Sequence, residues 1–363
     1  MMTPSENETM TAAEPGTTLR EFPYLSPAAF QHPLDVQAIA NLRKVPLLAP
    51  VIKTISSSVF EKQMRLMSIS SSIRLGPNQG RSVYQKFEKA AAILDLPELP
   101  ELYVSSQYVI NAVAFGVDKY QITLFAGLID FLTEAELLAV IGHELGHVKC
   151  QHMLYKTMAY LLRYFGIEVL YNLLPPGTGA LASIPLQLAI LHWERMAEFS
   201  CDRAALLVVQ DSTVVASTLA KLAGGSKKIL AEINLDEVLT QAQEYDESSD
   251  GLIEKIFKIN MMLRQTHPFP IVRAKEIIGW GSSDQYENIL AGNYVQDASS
   301  PALILAEPVG KVCPNCEQIV SVSAPFCLAC GSSLKGARRI CMRCHIKVFS
   351  TWQTCPRCGN QLQ

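Results

Sequence analysis

The chain has 363 residues, 49% of them hydrophobic and 18% charged, with a formal net charge of −3. It is too apolar for a disordered polypeptide and long enough for one large core plus a small companion domain. A balance so close to neutral gives no general ground for binding nucleic acid.

Residues 1–20 are rich in Thr, Glu and Pro and lack the basic start and apolar run of a secretory leader, so they read as a disordered tail. Pro-marked turns then alternate with helical patterns through 21–105. The spacing from Ser82 to Leu94 predicts an amphipathic helix closed by Pro97 and Pro100. Tyr103–Val109 reads as a strand that Ile110–Phe115 continues. Tyr120–Phe125 returns after a turn at Gly116–Lys119.

Thr133 and Glu136 form a capping box at the start of the next helix. Leu137, Leu138, Val140, Ile141, Leu145 and Val148 recur at helical spacing and leave His143 and His147 on an adjoining face. A four-residue step is slightly more than one turn, so both imidazoles point the same way. With Glu144 they make an H-E-x-x-H pattern: two rings to grip one zinc, and a carboxylate to take a proton from the attacking water.

Two apolar stretches follow, Met158–Leu174 and Ala180–Trp193. Arg163, Glu168 and Asn172 interrupt the first, and a charge in mid-span costs about 2.5–3.5 kcal/mol. The second is short for a bilayer and contains Pro185. Residues 148–193 therefore predict an apolar helical hairpin, either buried or touching a membrane.

A helix over about 191–209 carries Arg195, Glu198 and Asp202, with the two acids one turn apart. Catalytic zinc takes three protein ligands and keeps one position open. A carboxylate here suits the third ligand, and Asp202 suits a partner for the outer N–H of a ligating histidine. Alone, the same residues would equally make a surface charge ladder. His152 falls off the ligand face and reads as structural; Cys150 and Cys201 read as small buried hydrophobes. Helical patterns occupy 213–231 and 235–264, and a polar stretch from Gly281 to Ser300 reads as a linker.

Eight of the ten cysteines lie at the end of the chain in four C-x-x-C pairs. Cys313, Cys316, Cys327 and Cys330 repeat at a period of 28 residues as Cys341, Cys344, Cys355 and Cys358. Each unit predicts one closed four-cysteine zinc site, structural because no ligand position stays open. Disulfides are the alternative, and a metal pattern of this kind favours a reducing, cytoplasmic setting. The segment from Lys311 carries +6 and the rest −9. Each thiolate site is itself anionic and offsets much of that positive charge. The tail therefore points to a protein partner, a substrate or the catalytic domain rather than to nucleic acid.

Taken together, these pieces resemble the zinc metallopeptidases of the HtpX and CAAX-prenyl-protease type (metallopeptidase family 48, gluzincin class). The resemblance rests on Asn111-Ala112-Val113-Ala114-Phe115-Gly116, Gly127-Leu128-Ile129, Leu132-Thr133, the His143–His147 helix, Arg195 with Glu198 and Asp202, and Thr266-His267-Pro268 with Arg273. It implies that His143, His147 and Glu198 bind the catalytic zinc. Glu144 would be general base and then proton donor. His267 would steady the oxyanion, and Arg273 would pair with an acid near the site. Asn111, Ala112, Val113 and Ala114 would be the edge strand that pairs with a peptide. Those relatives have clear membrane spans, and none here is clean.

The expectation is a mainly helical α+β protein: a zincin-like domain at 21–280 with a small sheet edge, a linker at 281–310 and a double zinc ribbon at 311–363. Its cofactors would be one catalytic and two structural zinc ions. Its function would be that of a metalloendopeptidase acting on protein or peptide substrates, in the cytoplasm and with peripheral membrane contact left open, and in protein quality control by analogy. The competing reading is a non-catalytic ribbon adaptor with a locked or degenerate peptidase domain.

Overall fold

The structure is a computed structural model. It describes residues 19–45, 61–165, 184–226, 228–229, 232–247, 269–297, 310–313, 315, 319–321, 338–340 and 347–349. Two compact units emerge, Met1–Gln296 and Asp297–Gln363. The expected hairpin tip over 166–183, His267 and every ribbon cysteine except Cys313 lie outside the described residues.

The first unit is mainly helical. In chain order it contains α1 (Pro33–Arg43), α2 (Glu61–Ser71), β1 (Ser72–Arg74), α3 (Arg81–Ile93), β2 (Glu101–Ser105), β3 (Ala112–Phe115) and β4 (Gln121–Phe125). Helices α4 (Ala126–Phe131), α5 (Glu134–Lys149), α6 (Met153–Phe165), α7 (Ile184–Val209), α8 (Ser212–Gly224), α9 (Leu235–Glu247), α10 (Pro270–Gly281) and α11 (Asp284–Ala291) complete it. The sheet order is β1-β2-β4-β3, with β2 and β4 parallel and the other pairs antiparallel. β3 is therefore an edge, registered so that Ala112 faces Leu124 and Ala114 faces Ile122. The expected strand through 103–115 is instead two strands. Between them Tyr108 is 76% exposed and its hydroxyl donates to Asp130 at 2.8 Å. At the far end of β3, the Glu61 carboxylate accepts the backbone N–H groups of Val117, Asp118 and Lys119 at 3.1, 3.0 and 2.7 Å.

α5 starts as the sequence predicts. Thr133 Oγ1 accepts the Glu136 N–H at 3.4 Å, and Glu136 Oε2 accepts the Thr133 N–H at 2.9 Å. Lys221 of α8 binds the other Glu136 oxygen at 2.6 Å, which ties α8 to the start of α5. From Glu136 to Lys149 every residue of α5 is buried, because the sheet, α3, α7 and α8 surround it. Its closest neighbour is α7. A Cβ on Gly142 would lie 2.9 Å from Val208 Cβ, and one on Gly146 would lie 2.7 Å from Ala204 Cβ. Two glycines one turn apart thus let the helix backbones approach to where short side chains can meet between them.

A second apolar cluster joins α1, α6 and α7 through Ile39, Leu42, Tyr155, Met158, Leu162, Ile190 and Trp193. In the described parts of the expected hairpin arms, Met158, Leu162, Leu186, Ile190 and Trp193 are thus buried inside the unit, while Leu188 is exposed. The second arm, expected over Ala180–Trp193, and the helix expected from about 191 are one helix from Ile184, and Pro185 sits in its first turn, where a missing N–H costs nothing. Among the described residues no helix is long and apolar enough to cross a membrane.

The linker expected over 281–300 needs correcting. α11 occupies Asp284–Ala291, with Tyr286 and Ile289 buried against the main core, and the compact unit runs to Gln296. Its remaining residues are mostly polar, so two apolar anchors in a polar helix read as loop.

The second unit contains β5 (Gly310–Val312), β6 (Ile319–Ser321), β7 (Arg338–Ile340) and β8 (Lys347–Phe349), ordered β6-β5-β7-β8 and all antiparallel. β7 and β8 follow β5 and β6 at the same 28-residue spacing as the cysteines. Each repeat is thus one hairpin, and the two join through β5 and β7 into one sheet.

Candidate active site

His143 and His147 stand one turn apart on α5, with ring centroids 5.2 Å apart. Across the close α5–α7 contact, both turn Nε2 toward the carboxylate of Glu198. His143 Nε2 lies 3.4 Å from Oε2, and His147 Nε2 lies 3.4 Å from Oε1. Tetrahedral zinc with bonds of about 2.0–2.2 Å places neighbouring ligand atoms about 3.3–3.6 Å apart. The donor set and its spacing therefore fit zinc. His147 Nε2 is buried and, among the described residues, has no hydrogen-bond partner, as a nitrogen kept for a metal should be.

The surrounding charges are organised by α7 and α10. Asp202 Oδ1 is 3.1 Å from His143 Nδ1. Arg273, in the first turn of α10, forks onto Asp202 with bonds of 2.7 and 2.6 Å and reaches Glu198 Oε2 at 3.2 Å. Glu198 and Asp202 are buried, which removes the surface-ladder alternative. Burial by itself would raise the Asp202 pKa, but the Arg273 guanidinium and His143 outweigh it and hold the carboxyl below its usual value. Arg273 is held above its usual value by the same pair of acids, Asp202 and Glu198, against the opposing effect of burial. Without metal, burial disfavours charge on His143, yet Glu198 and Asp202 override it and push the pKa up to about 9. Burial first, then Lys156, pushes His147 well below its usual value.

Glu144 projects beside this cluster, and Lys156 of α6 stands 3.6 Å from its Oε2. A cavity of about 290 Å³ opens there, between the site and an apolar wall of Leu128, Val215 and Leu219. A second hollow of about 490 Å³ runs along β3, past Val113 and Ala114, toward Met64 and Lys156. Asn111 and Ala112 line both. The expected edge strand therefore borders the catalytic cluster directly. Arg195 is buried on α7, one turn before Glu198, and does not line either cavity.

Two further residues lie against the histidines: His152, read from the sequence as structural, and Cys201, read as a small buried hydrophobe. α5 ends at Lys149, Gln151 takes φ 58°, and the chain folds back so that the His152 N–H reaches the His147 carbonyl at 2.9 Å. His152 Nδ1 then lies 3.3 Å from His147 Nδ1, and His152 Nε2 lies 3.0 Å from Asp35 of α1. The left-handed residue just past the helix is the signal that an ideal helical wheel no longer applied. Cys201 also comes close: its Sγ is 3.8 Å from His152 Nδ1, and with His143 and His147 it forms a second candidate ligand group.

Two imidazoles on one helix, a carboxylate from the helix packed against it and an open sheet edge beside them define a zincin-like metallopeptidase. The chain belongs to peptidase family M48, which matches residues 77–280. The double zinc ribbon family matches residues 313–359, and both matches support zinc as the metal. Plastoglobule-localized metallopeptidase 48 of Arabidopsis thaliana, a chloroplastic protein, is 38% identical over 263 residues, covering 72% of this chain and 74% of its own. Protease HtpX homolog 2 of Methanosarcina acetivorans is 27% identical over 43% of this chain and 59% of its own. The Protease HtpX homolog of Moorella thermoacetica is 28% identical over 47% of this chain and 64% of its own. The chain thus spans less than two thirds of either HtpX homologue.

Proposed function

We propose that the chain is a zinc endopeptidase in which His143, His147 and Glu198 hold the catalytic metal and Glu144 is the general base. The observation that carries this is the meeting of two Nε2 atoms with the two oxygens of one carboxylate, 3.4 Å each. Cys201 is the weaker third ligand, because burial pushes its thiol well up and a metal needs the thiolate. When bound, zinc polarises the scissile carbonyl and makes water acidic enough to react near neutral pH.

The chain's own residues do the rest. A peptide adds to the β3 edge through backbone hydrogen bonds, which brings its carbonyl past Asn111 and Ala112. The Glu144 carboxylate takes the proton of the attacking water and returns it to the leaving amine. Lys156 gives that carboxylate a fixed cationic neighbour. Asp202 and Arg273 orient His143 and Glu198. His267, outside the described residues, steadies the oxyanion.

Recognition through backbone suits unfolded or membrane-derived proteins, and hence a quality-control role. The four C-x-x-C pairs fit a reducing, cytoplasmic compartment. The ribbon adds two structural zinc ions, three in all, and holds a protein partner or substrate.

Glu144→Gln tests the assignment. It should lower cleavage of an unfolded test protein by roughly 10²–10⁴-fold while all three zinc ions stay bound. A variant that cleaves at the parent rate removes Glu144 from the reaction.

A further inference from the structure

We propose that His152 and Asp35 are positioning residues that fix which ring nitrogen of His147 is free for metal. The proposal rests on His147 being a zinc ligand. Asp35 is fully buried, and all three of its partners approach as donors: Trp193 Nε1 at 3.0 Å, Ser200 Oγ at 2.6 Å and His152 Nε2 at 3.0 Å. A carboxylate only accepts, so the proton of a neutral His152 sits on Nε2 and its Nδ1 is an acceptor. That acceptor faces two groups, Cys201 Sγ at 3.8 Å and His147 Nδ1 at 3.3 Å; His147 is the nearer and the stronger donor, so its proton belongs on Nδ1. The nitrogen left bare on His147 is then Nε2, the one turned to Glu198.

His143 reaches the same state by a shorter route. Its Nδ1 meets Asp202 directly at 3.1 Å, so its Nε2 is the nitrogen that zinc would take. One ligand is set by a carboxylate, the other by a carboxylate acting through a second imidazole. Packing holds that imidazole edge-on between His147 and Trp193, with centroids 5.5 Å from each. Outer partners of this kind set ligand tautomer and orientation.

Asp35→Asn separates positioning from packing. With its oxygen toward Trp193 and its amide N–H groups toward His152 Nε2 and Ser200 Oγ, asparagine keeps the Trp193 and His152 contacts, turns the Ser200 bond round and reverses the relay. His152 then donates from Nδ1, His147 accepts there, and the His147 proton moves to Nε2, where zinc must bind. The measurement is zinc affinity of the full chain by competition with a chelator, counting as catalytic the zinc that His143→Ala loses. Asp35→Asn should weaken it by ~10–100-fold, with the melting temperature of the metal-depleted protein unchanged. His152→Leu should weaken it similarly, and His152→Asn, whose amide oxygen can stand where Nδ1 stood, should recover part of the loss.

A folded Asp35→Asn chain that binds zinc as tightly as its parent overturns the relay and leaves the site assignment standing. If His143→Ala loses no zinc, the assignment fails and the relay with it. Should Asp35→Asn not fold, ¹⁵N spectra of the zinc-loaded, histidine-labelled parent decide: a proton on His147 Nδ1 supports the relay, and one on Nε2 overturns it.

Discussion

The peptidase unit and the ribbon unit both match families that support zinc, but their foundations differ in kind. In the first, α5 and α7 are fixed by a large apolar core that includes Phe87, Leu102, Leu124, Leu145 and Leu206. Each of His143 and His147 brings Nε2 to 3.4 Å from an oxygen of Glu198, across a helix contact that Gly142 and Gly146 keep close. In the second, each strand is three residues long, and so small a unit buries little apolar surface. Where burial builds the site, metal is left over for chemistry. Where burial cannot, metal has to supply the folding free energy.

Stripping the zinc should separate the two most sharply. Structural zinc contributes roughly 10–16 kcal/mol to small metal-built folds, so chelation should unfold the segment after residue 310 and expose it to proteases. The peptidase unit should keep its helical circular dichroism. Both units melting together, or neither changing, would erase the contrast.

Gly146→Ala acts on one unit only. The new Cβ would sit 2.7 Å from Ala204 Cβ and 3.1 Å from Cys201 Cα, both on the helix that carries Glu198. Overpacking of this kind costs about 1–3 kcal/mol. Metal analysis should show the catalytic zinc weakened or lost with the two ribbon ions intact; full retention of all three would mean that helix spacing does not govern the site.

A smaller effect, about 1 kcal/mol, is expected from Glu136→Gln at the start of α5. Burial alone would raise the Glu136 pKa, but Lys221 and the Thr133 cap outweigh it and hold the group below its usual 4.5. A depressed carboxyl stabilises the fold above the unfolded-state value, and that stability is lost as pH falls through the lower folded-state value. The gap in melting temperature between parent and variant should therefore be open at pH 7 and close in acid. A gap independent of pH would assign it to shape rather than charge.

The metal helix was legible because every level agreed: a capping box, apolar residues at helical spacing, and two histidines one turn apart. The carboxylate at Glu198 was legible as a candidate, although its burial was not. Asp35 was not legible. It acts on a residue 117 positions away, from a helix whose own pattern carries no chemical signal. His152 lies off the ligand face, as its spacing predicts; its contact with His147 Nδ1 was not legible, because it depends on the chain turning back after Lys149. α11 was missed because Tyr286 and Ile289 are too few to mark a period.

The three amides that Glu61 clamps close the turn at the end of β3. An edge that finishes in an ordinary loop frays from that end and shortens. This one is pinned from outside its own sheet, by a negative charge that several N–H dipoles share. Its length is therefore set by α2 as well as by its pairing with β4, and a chain laid alongside meets a ruler rather than a loose thread.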